Sequence, residues 1–264
     1  MNWAMHVGIL GLGSLGSAVT KGLLKSGVTP EDIVVFDVEK GKVDSFKNLL
    51  IRSAPSIKVL QSNTDILLLC VKPKDFNNVA SQLSGVEEDK VLISFVGGLK
   101  LEVISSRVQG KGIFRAMPNI SCEVCEASIA LASLKDVRIE QRMKVEQLLS
   151  RLGDVFVVEE NVIDAFTSLS GSGVAFASEV IKSFYEAGVL LGLPHNTAKK
   201  VALKVFLGTS KLLEEKGFDE ILERVATPGG TTIEGIYILE RKAVKGSIIE
   251  AIKAGADKAS LLSS

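Results

Sequence analysis

A glycine pattern near the start of the chain restricts the fold more than any other feature. Residues 6–16 read HVGILGLGSLG, a short apolar run ending in Gly11-x-Gly13-x-x-Gly16. A helical pattern follows through Lys25, carried by Ala18, Val19, Gly22 and Leu23, and Gly27 stops it. A glycine at position 11 permits a tight turn, one at 13 lets backbone approach a pyrophosphate, and one at 16 lets helix and strand close together. Ser14 then opens a helix whose free N–H groups face that phosphate. A second apolar run, Ile33–Phe36, ends at Asp37, about twenty residues beyond Gly16, where a carboxylate can accept hydrogen bonds from ribose hydroxyls. Strand, glycine turn, helix, strand and acid in this order predict a dinucleotide site that includes Gly11, Leu12, Gly13, Ser14, Leu15, Gly16 and Asp37.

Further strand signals lie at 66–70, 91–95, 113–116, 128–132 and 155–158. Helical stretches separate most of them, at 41–50, 76–83, 101–108 and 137–152. Apolar strands alternating with helices predict a doubly wound, mostly parallel sheet. Ligands of such sheets lie across the carboxyl ends of the strands. That adds Cys70, Val71, Lys72 and Pro73, and Phe95, Val96 and Gly97, as cofactor-binding candidates. Lys72 can offer charge there, and Gly97 allows close approach.

After about Val162 the pattern changes to helices alone, at 175–191, 196–215, 219–225, 232–240 and 247–262. The expected fold is α/β, with an N-terminal Rossmann domain over 1–161 and a C-terminal all-helical dimerisation domain over 162–264. The second set of helices is very apolar for its size, which predicts burial against another copy of the chain.

Composition narrows the class. The chain is 46% hydrophobic but only 5% aromatic, so its core rests on Val, Ile, Leu and Ala. Lys and Arg number 31, and so do Asp and Glu, a balance that points away from nucleic acid and anionic membranes. No apolar run approaches bilayer length. Met1–Leu10 lacks the succession of a secretory leader, so a cytoplasmic enzyme is expected. The three cysteines do not suit a disulfide framework. Cys122-Glu123-Val124-Cys125 is a C-x-x-C, but the two histidines, His6 and His195, are far from it in sequence, so no metal site is expected and the thiols read as incidental.

A second motif lies at 225–240, VATPGGTTIEGIYILE. Thr231 and Glu234 have capping-box spacing. The same turn also reads as an anion site, with the N–H groups of Gly230, Thr231 and Thr232 converging at a positive helix end suited to a small carboxylate.

With these blocks in view, the chain resembles the pyrroline-5-carboxylate reductase family from end to end. The matching pieces are GLGSLG at 11–16, CVKP at 70–73, RAMPN at 115–119, SLSGSG at 168–173 and TPGGTT at 227–232, followed by EGIYILE. The resemblance implies reduction of 1-pyrroline-5-carboxylate to L-proline, the last step of proline biosynthesis. Hydride would pass from NADH or NADPH to the cyclic imine carbon. It implies a homodimer interlocked through the helical domain, often joined into rings. It implies that Gly230, Thr231 and Thr232 hold the substrate carboxylate, with Thr232 beside the ring nitrogen as the catalytic residue. Asn119 and Glu215 join the substrate set, Glu215 (or the adjacent Glu214) reaching the pocket of the partner subunit.

The chemistry agrees with what the motifs omit. Oxidising a hydroxyl needs a general base. A cyclic imine can enter already protonated, so positioning carries much of the barrier. The chain departs from the family at Ile120-Ser121, where Thr-Pro is usual, at Val174, where Pro is usual, and at Asp37, where Asn or Ser is common. Asp37 favours the free hydroxyls of NADH, although Lys40 and Lys42 lie close by. Three alternatives stand beside this reading: a non-catalytic nucleotide-binding regulator, a hydroxyacid dehydrogenase, and another imine reductase on the same fold. The second would want an early lysine in the long helix, where Lys182 comes late.

Overall fold

The computed structural model describes residues 5–263; Met1–Ala4, part of the N-terminal reading above, and Ser264 lie outside them. Eight strands form one sheet: β1 (Val7–Leu10), β2 (Ile33–Phe36), β3 (Arg52–Ser53), β4 (Ile66–Leu69), β5 (Val91–Ser94), β6 (Ile113–Met117), β7 (Ala127–Ser133) and β8 (Gly153–Val157). Their order is β3-β2-β1-β4-β5-β6-β7-β8. All pairs are parallel except β6 with β7. The order reverses between β1 and β4, which is where a doubly wound sheet opens its ligand crevice.

The helices of this body are α1 (Ser14–Lys25), α2 (Lys40–Asp44), α3 (Ile57–Ser62), α4 (Phe76–Ala80), α5 (Leu101–Arg107), α6 (Ile139–Leu149) and α7 (Ile163–Phe166). The central strands are buried end to end because helices cover both faces, so their sequences are unbroken runs such as Ile66–Leu69 rather than alternating ones. Two apolar clusters result, one around Val19, Ile9 and Leu148 and the other around Leu69, Leu92 and Ile104.

Three local expectations need correction. The helix expected at 41–50 breaks after Asp44, continues as a 3-10 turn at Lys47–Leu49, and ends at Leu50 in the left-handed region. The strand β3 and the helix α3 were not foreseen. Both residues of β3 are exposed and polar, so no apolar pattern marks them.

From Ile163 onward every element is helical. A π-helical stretch at Thr167–Ser172 follows α7. Then come α8 (Gly173–Leu190), α9 (His195–Glu215), α10 (Phe218–Val225), α11 (Thr231–Arg241) and α12 (Val244–Ser263). The compact units divide at Gly171, later than the expected boundary at 161. The first unit also takes the tail from Gly255; the second is Ser172–Ala254. The shift has a cause in β6. Arg115, almost fully buried, pairs with Glu160 at 3.1 Å and Asp164 at 3.3 Å. Asn119 donates its amide to Ser170 Oγ at 2.9 Å, which in turn donates to the Ser128 carbonyl at 3.0 Å. These bonds hold α7 and the π-helical stretch on the sheet.

In the second unit, α8 packs against α9, with Phe184 edge-on to Phe206 at 4.9 Å. Many large apolar side chains there stay exposed, among them Leu203, Phe218, Tyr237 and Leu239. An exposed apolar area of this kind marks an association surface. Among the described residues no helix is long and apolar enough to cross a membrane.

Candidate dinucleotide site and substrate turn

The glycine loop connects β1 to α1. Gly11 has φ +99, and a Cβ there would lie 2.8 Å from the Cys70 carbonyl oxygen. A Cβ at Gly16 would run into the Gly11 carbonyl, so only glycine lets α1 sit this close to the loop. At Gly13 the space is open, with nothing within 4 Å of a built Cβ. Gly13 caps α1 without a side-chain bond, and no acidic residue occupies the first turn. The N–H groups of Ser14, Leu15 and Gly16 therefore have no intrahelical acceptor and remain available to an anion.

A cleft of about 400 Å³ adjoins this loop. Its lining includes Gly11, Gly13, Asp37, Cys70, Val71 and Lys72. Sequence reasoning missed Glu39, Lys74, Asp75, Asn78, Val79 and Gln82 on its wall. Asn78 and Gln82 repeat at helical spacing just after the Lys72-Pro73 turn, which is the signal that could have found them. Among the other expected residues, Leu12 is buried core and Leu15 is half-buried against it. Pro73 starts a 3-10 turn. Phe95 and Val96 are buried core residues rather than cleft lining, while Gly97 has open space around its Cβ position.

Asp37 is more committed than its position suggests. One carboxylate oxygen accepts the Leu12 N–H at 2.7 Å and the other accepts the Glu39 N–H at 2.8 Å. Its first task is to tie the glycine loop to the end of β2; a ribose hydroxyl would use the remaining lone pairs. Lys40 is exposed and does not line the cleft, whereas Lys42 does.

The cysteines pack around α1. Burial, with Cys122 adding a smaller effect, pushes the Cys70 thiol well above its ordinary value. Burial likewise raises Cys122 to about 12. Cys125 donates its thiol to the Gly22 carbonyl at 3.4 Å. Both histidines are exposed: the His6 backbone N–H donates to Asp65 at 2.7 Å, and the His195 ring lies 2.8 Å from the Tyr185 hydroxyl.

In the second unit Gly230 is the N-cap of α11 and makes no side-chain cap, so the capping box expected for Thr231 and Glu234 does not form. The Gly230 N–H donates to the Thr227 carbonyl at 3.0 Å, which removes it from the expected anion set. The N–H groups of Thr231, Thr232 and Ile233 are the ones without intrahelical acceptors. Thr232 is half-buried and Thr231 exposed. Glu215 is the exposed last residue of α9, and Glu214 beside it is exposed as well. Asn119, in the first unit, is fully engaged: its Oδ1 accepts the Ser121 N–H at 3.0 Å, and its amide donates to Ser170. Lys182 lies in the middle of α8 and faces Glu186 at 3.8 Å.

A doubly wound sheet with an open glycine loop, joined to an all-helical unit, defines the class of Rossmann-type oxidoreductases. Residues 160–262 match the family described as pyrroline-5-carboxylate reductase dimerisation. Residues 6–98 match NADP oxidoreductase coenzyme F420-dependent. Pyrroline-5-carboxylate reductase from Aquifex aeolicus is 36% identical over 98% of this chain and 97% of its own length. The Synechocystis enzyme of that name is 34% identical over 95% of this chain and 96% of its own. A Plasmodium falciparum pyrroline carboxylate reductase, solved with NADP bound, superposes with a TM-score of 0.90 at 27% identity, covering 98% of each chain. The chain belongs to the pyrroline-5-carboxylate reductase family.

Proposed function

We propose that this chain reduces 1-pyrroline-5-carboxylate to L-proline with a reduced nicotinamide nucleotide. The observation that carries the proposal is full-length kinship to reductases of that name, on a body whose glycine loop has room for phosphate at Gly13.

The residues fit the nucleotide. The open space at Gly13 and the free N–H groups of Ser14–Gly16 suit a pyrophosphate, and the cleft beside Asp37 and Val71 suits the adenosine end. When bound, the reduced nicotinamide supplies a hydride for the imine carbon. The chain's own groups bind and orient. Backbone N–H groups of Thr231 and Thr232 hold the substrate carboxylate at the start of α11. The Thr232 hydroxyl accepts a hydrogen bond from the protonated ring nitrogen and keeps that proton in place as the ring becomes an amine. Glu215, or Glu214, completes the pocket of the partner subunit. This chemistry needs no histidine or lysine base, since the substrate enters already protonated. Asn119 belongs to the support of the site rather than to its ligands, because both ends of its amide are taken.

NADH is the favoured nucleotide in this reading. Asp37 and Glu39 outnumber Lys42 at the end of β2, and a 2′-phosphate there would meet net negative charge. The homodimer is joined into rings and works in the cytoplasm. Purified protein should oxidise NADH in the presence of 1-pyrroline-5-carboxylate and release proline. A folded preparation that binds nucleotide but turns over with neither NADH nor NADPH defeats the proposal and leaves the non-catalytic regulator standing.

A further inference from the structure

The end of β2 carries three charged side chains that line the cleft together: Asp37, Glu39 and Lys42. Their arrangement follows from the backbone. Glu39 is the N-cap of α2, and its N–H donates to Asp37 Oδ1, which seats it directly beside the acid. Lys42 lies three positions further on, where a helical turn brings it back over Glu39. Its Nζ is 2.6 Å from Glu39 Oε1 and 3.8 Å from Asp37 Oδ2. The hydrogen bond to Glu39 raises the lysine pKa most; desolvation opposes it, and the charges of Asp37 and Glu39 add smaller increases. The ammonium therefore belongs chiefly to Glu39.

We propose that Glu39 is a specificity-determining residue of the nucleotide site: by holding Lys42 as its own counter-ion, it withholds from a 2′-phosphate the cation nearest to Asp37. This rests on the reading above that the cleft takes a nicotinamide dinucleotide. With Glu39 in place, the three groups sum to one negative charge, and the rim suits free ribose hydroxyls. Without its carboxylate the sum is zero. Lys42 is then free either to neutralise Asp37 or to meet the phosphate, and both outcomes favour the phosphorylated nucleotide. Glu39 reaches Asp37 through its backbone N–H, so replacing its side chain spares the bond that seats the loop.

The test is calorimetric binding of NADH and of NADPH, without substrate, to the wild-type protein and to Glu39→Gln, Lys42→Met and the double variant. Glu39→Gln should move the preference toward NADPH by about three- to tenfold, the range of one exposed attraction gained through the freed lysine. That gain should shrink in high salt. The double variant should lose it. An unchanged preference in Glu39→Gln overturns the inference. So does a gain that survives in the double variant, since Glu39 would then act by its own charge and not through Lys42. No imine is present, so a failure of the proline-forming reaction leaves this result readable. Binding of neither nucleotide to the wild type would overturn the inference and the nucleotide reading together.

Discussion

Leu12 donates its backbone N–H to the Asp37 carboxylate across 2.7 Å, so the glycine loop and the end of β2 are fastened by one side chain. Asp37 thus sets the shape of the glycine loop and, if the cleft takes the nucleotide as proposed, the charge of its ribose subsite at once. Asp37→Ser should shift preference toward NADPH, as removal of a negative charge requires, yet weaken binding of both nucleotides because two loop N–H groups lose their acceptor. Dissociation constants for the two nucleotides check both parts. A variant that keeps wild-type NADH affinity would show that the loop holds its shape unaided.

Thr232→Ala removes the hydroxyl assigned to the ring nitrogen while leaving the N–H groups of the α11 start in place. The expected loss in kcat is about ten- to a thousand-fold, the range for a positioned donor or acceptor, with little change in nucleotide affinity. Steady-state kinetics with 1-pyrroline-5-carboxylate decide it; an unchanged kcat leaves Thr232 as a helix-start residue only.

Gly16→Ala and Gly13→Ala should both weaken nucleotide binding, but by different routes. The new methyl at 16 meets the Gly11 carbonyl, so α1 or the loop must move and stability should fall with affinity; a methyl at 13 enters the open space proposed for the pyrophosphate and should lower affinity while leaving stability intact. Fluorescence titration with NADH and thermal melts without nucleotide compare the two. Wild-type affinity in Gly13→Ala would show that the phosphate does not approach this loop.

Arg115→Met leaves Glu160 and Asp164 facing an apolar side chain in place of a buried guanidinium. Breaking such a group one-sidedly costs about 3 kcal/mol, less for partly exposed carboxylates. Urea denaturation of variant and wild type measures it. A loss below about 0.5 kcal/mol would show that water replaces the arginine at no cost.

Thiol labelling near neutral pH should find Cys125 first. The raised pKa values of Cys70 and Cys122 keep both as thiols, and only the thiolate reacts. Mass spectrometry after brief iodoacetamide treatment assigns the site; prior reaction at Cys122 would mean that the 3-10 turn Ile120–Val124 opens in solution.

Much of this architecture was legible in the residues themselves. β1, the glycine loop and α1 each carry a signal of their own: an apolar run, glycines at fixed offsets, and a helical period that stops at Lys25. The all-helical character after Val162 was legible for the same reason. What escaped depends on closure in space. The bond from Gly230 to Thr227 changes which N–H groups are free, and it exists only once the turn has formed. The engagement of Asn119 by Ser170 joins residues distant in sequence, and no local pattern announces it. Glu39 escaped because an exposed acid before a lysine is ordinary; only its seat on Asp37 gives it meaning.

The uncovered leucines, valines and aromatic rings of α8–α12 bear on how this molecule must be handled. Helices with this much apolar surface uncovered would gain cohesion from a second chain. The melting temperature should therefore climb as the protein is concentrated, since mass action links folding of these helices to the meeting of two chains. Dilution then acts on this protein as a denaturant does, and activity measured at very low enzyme concentration should fall away faster than in proportion.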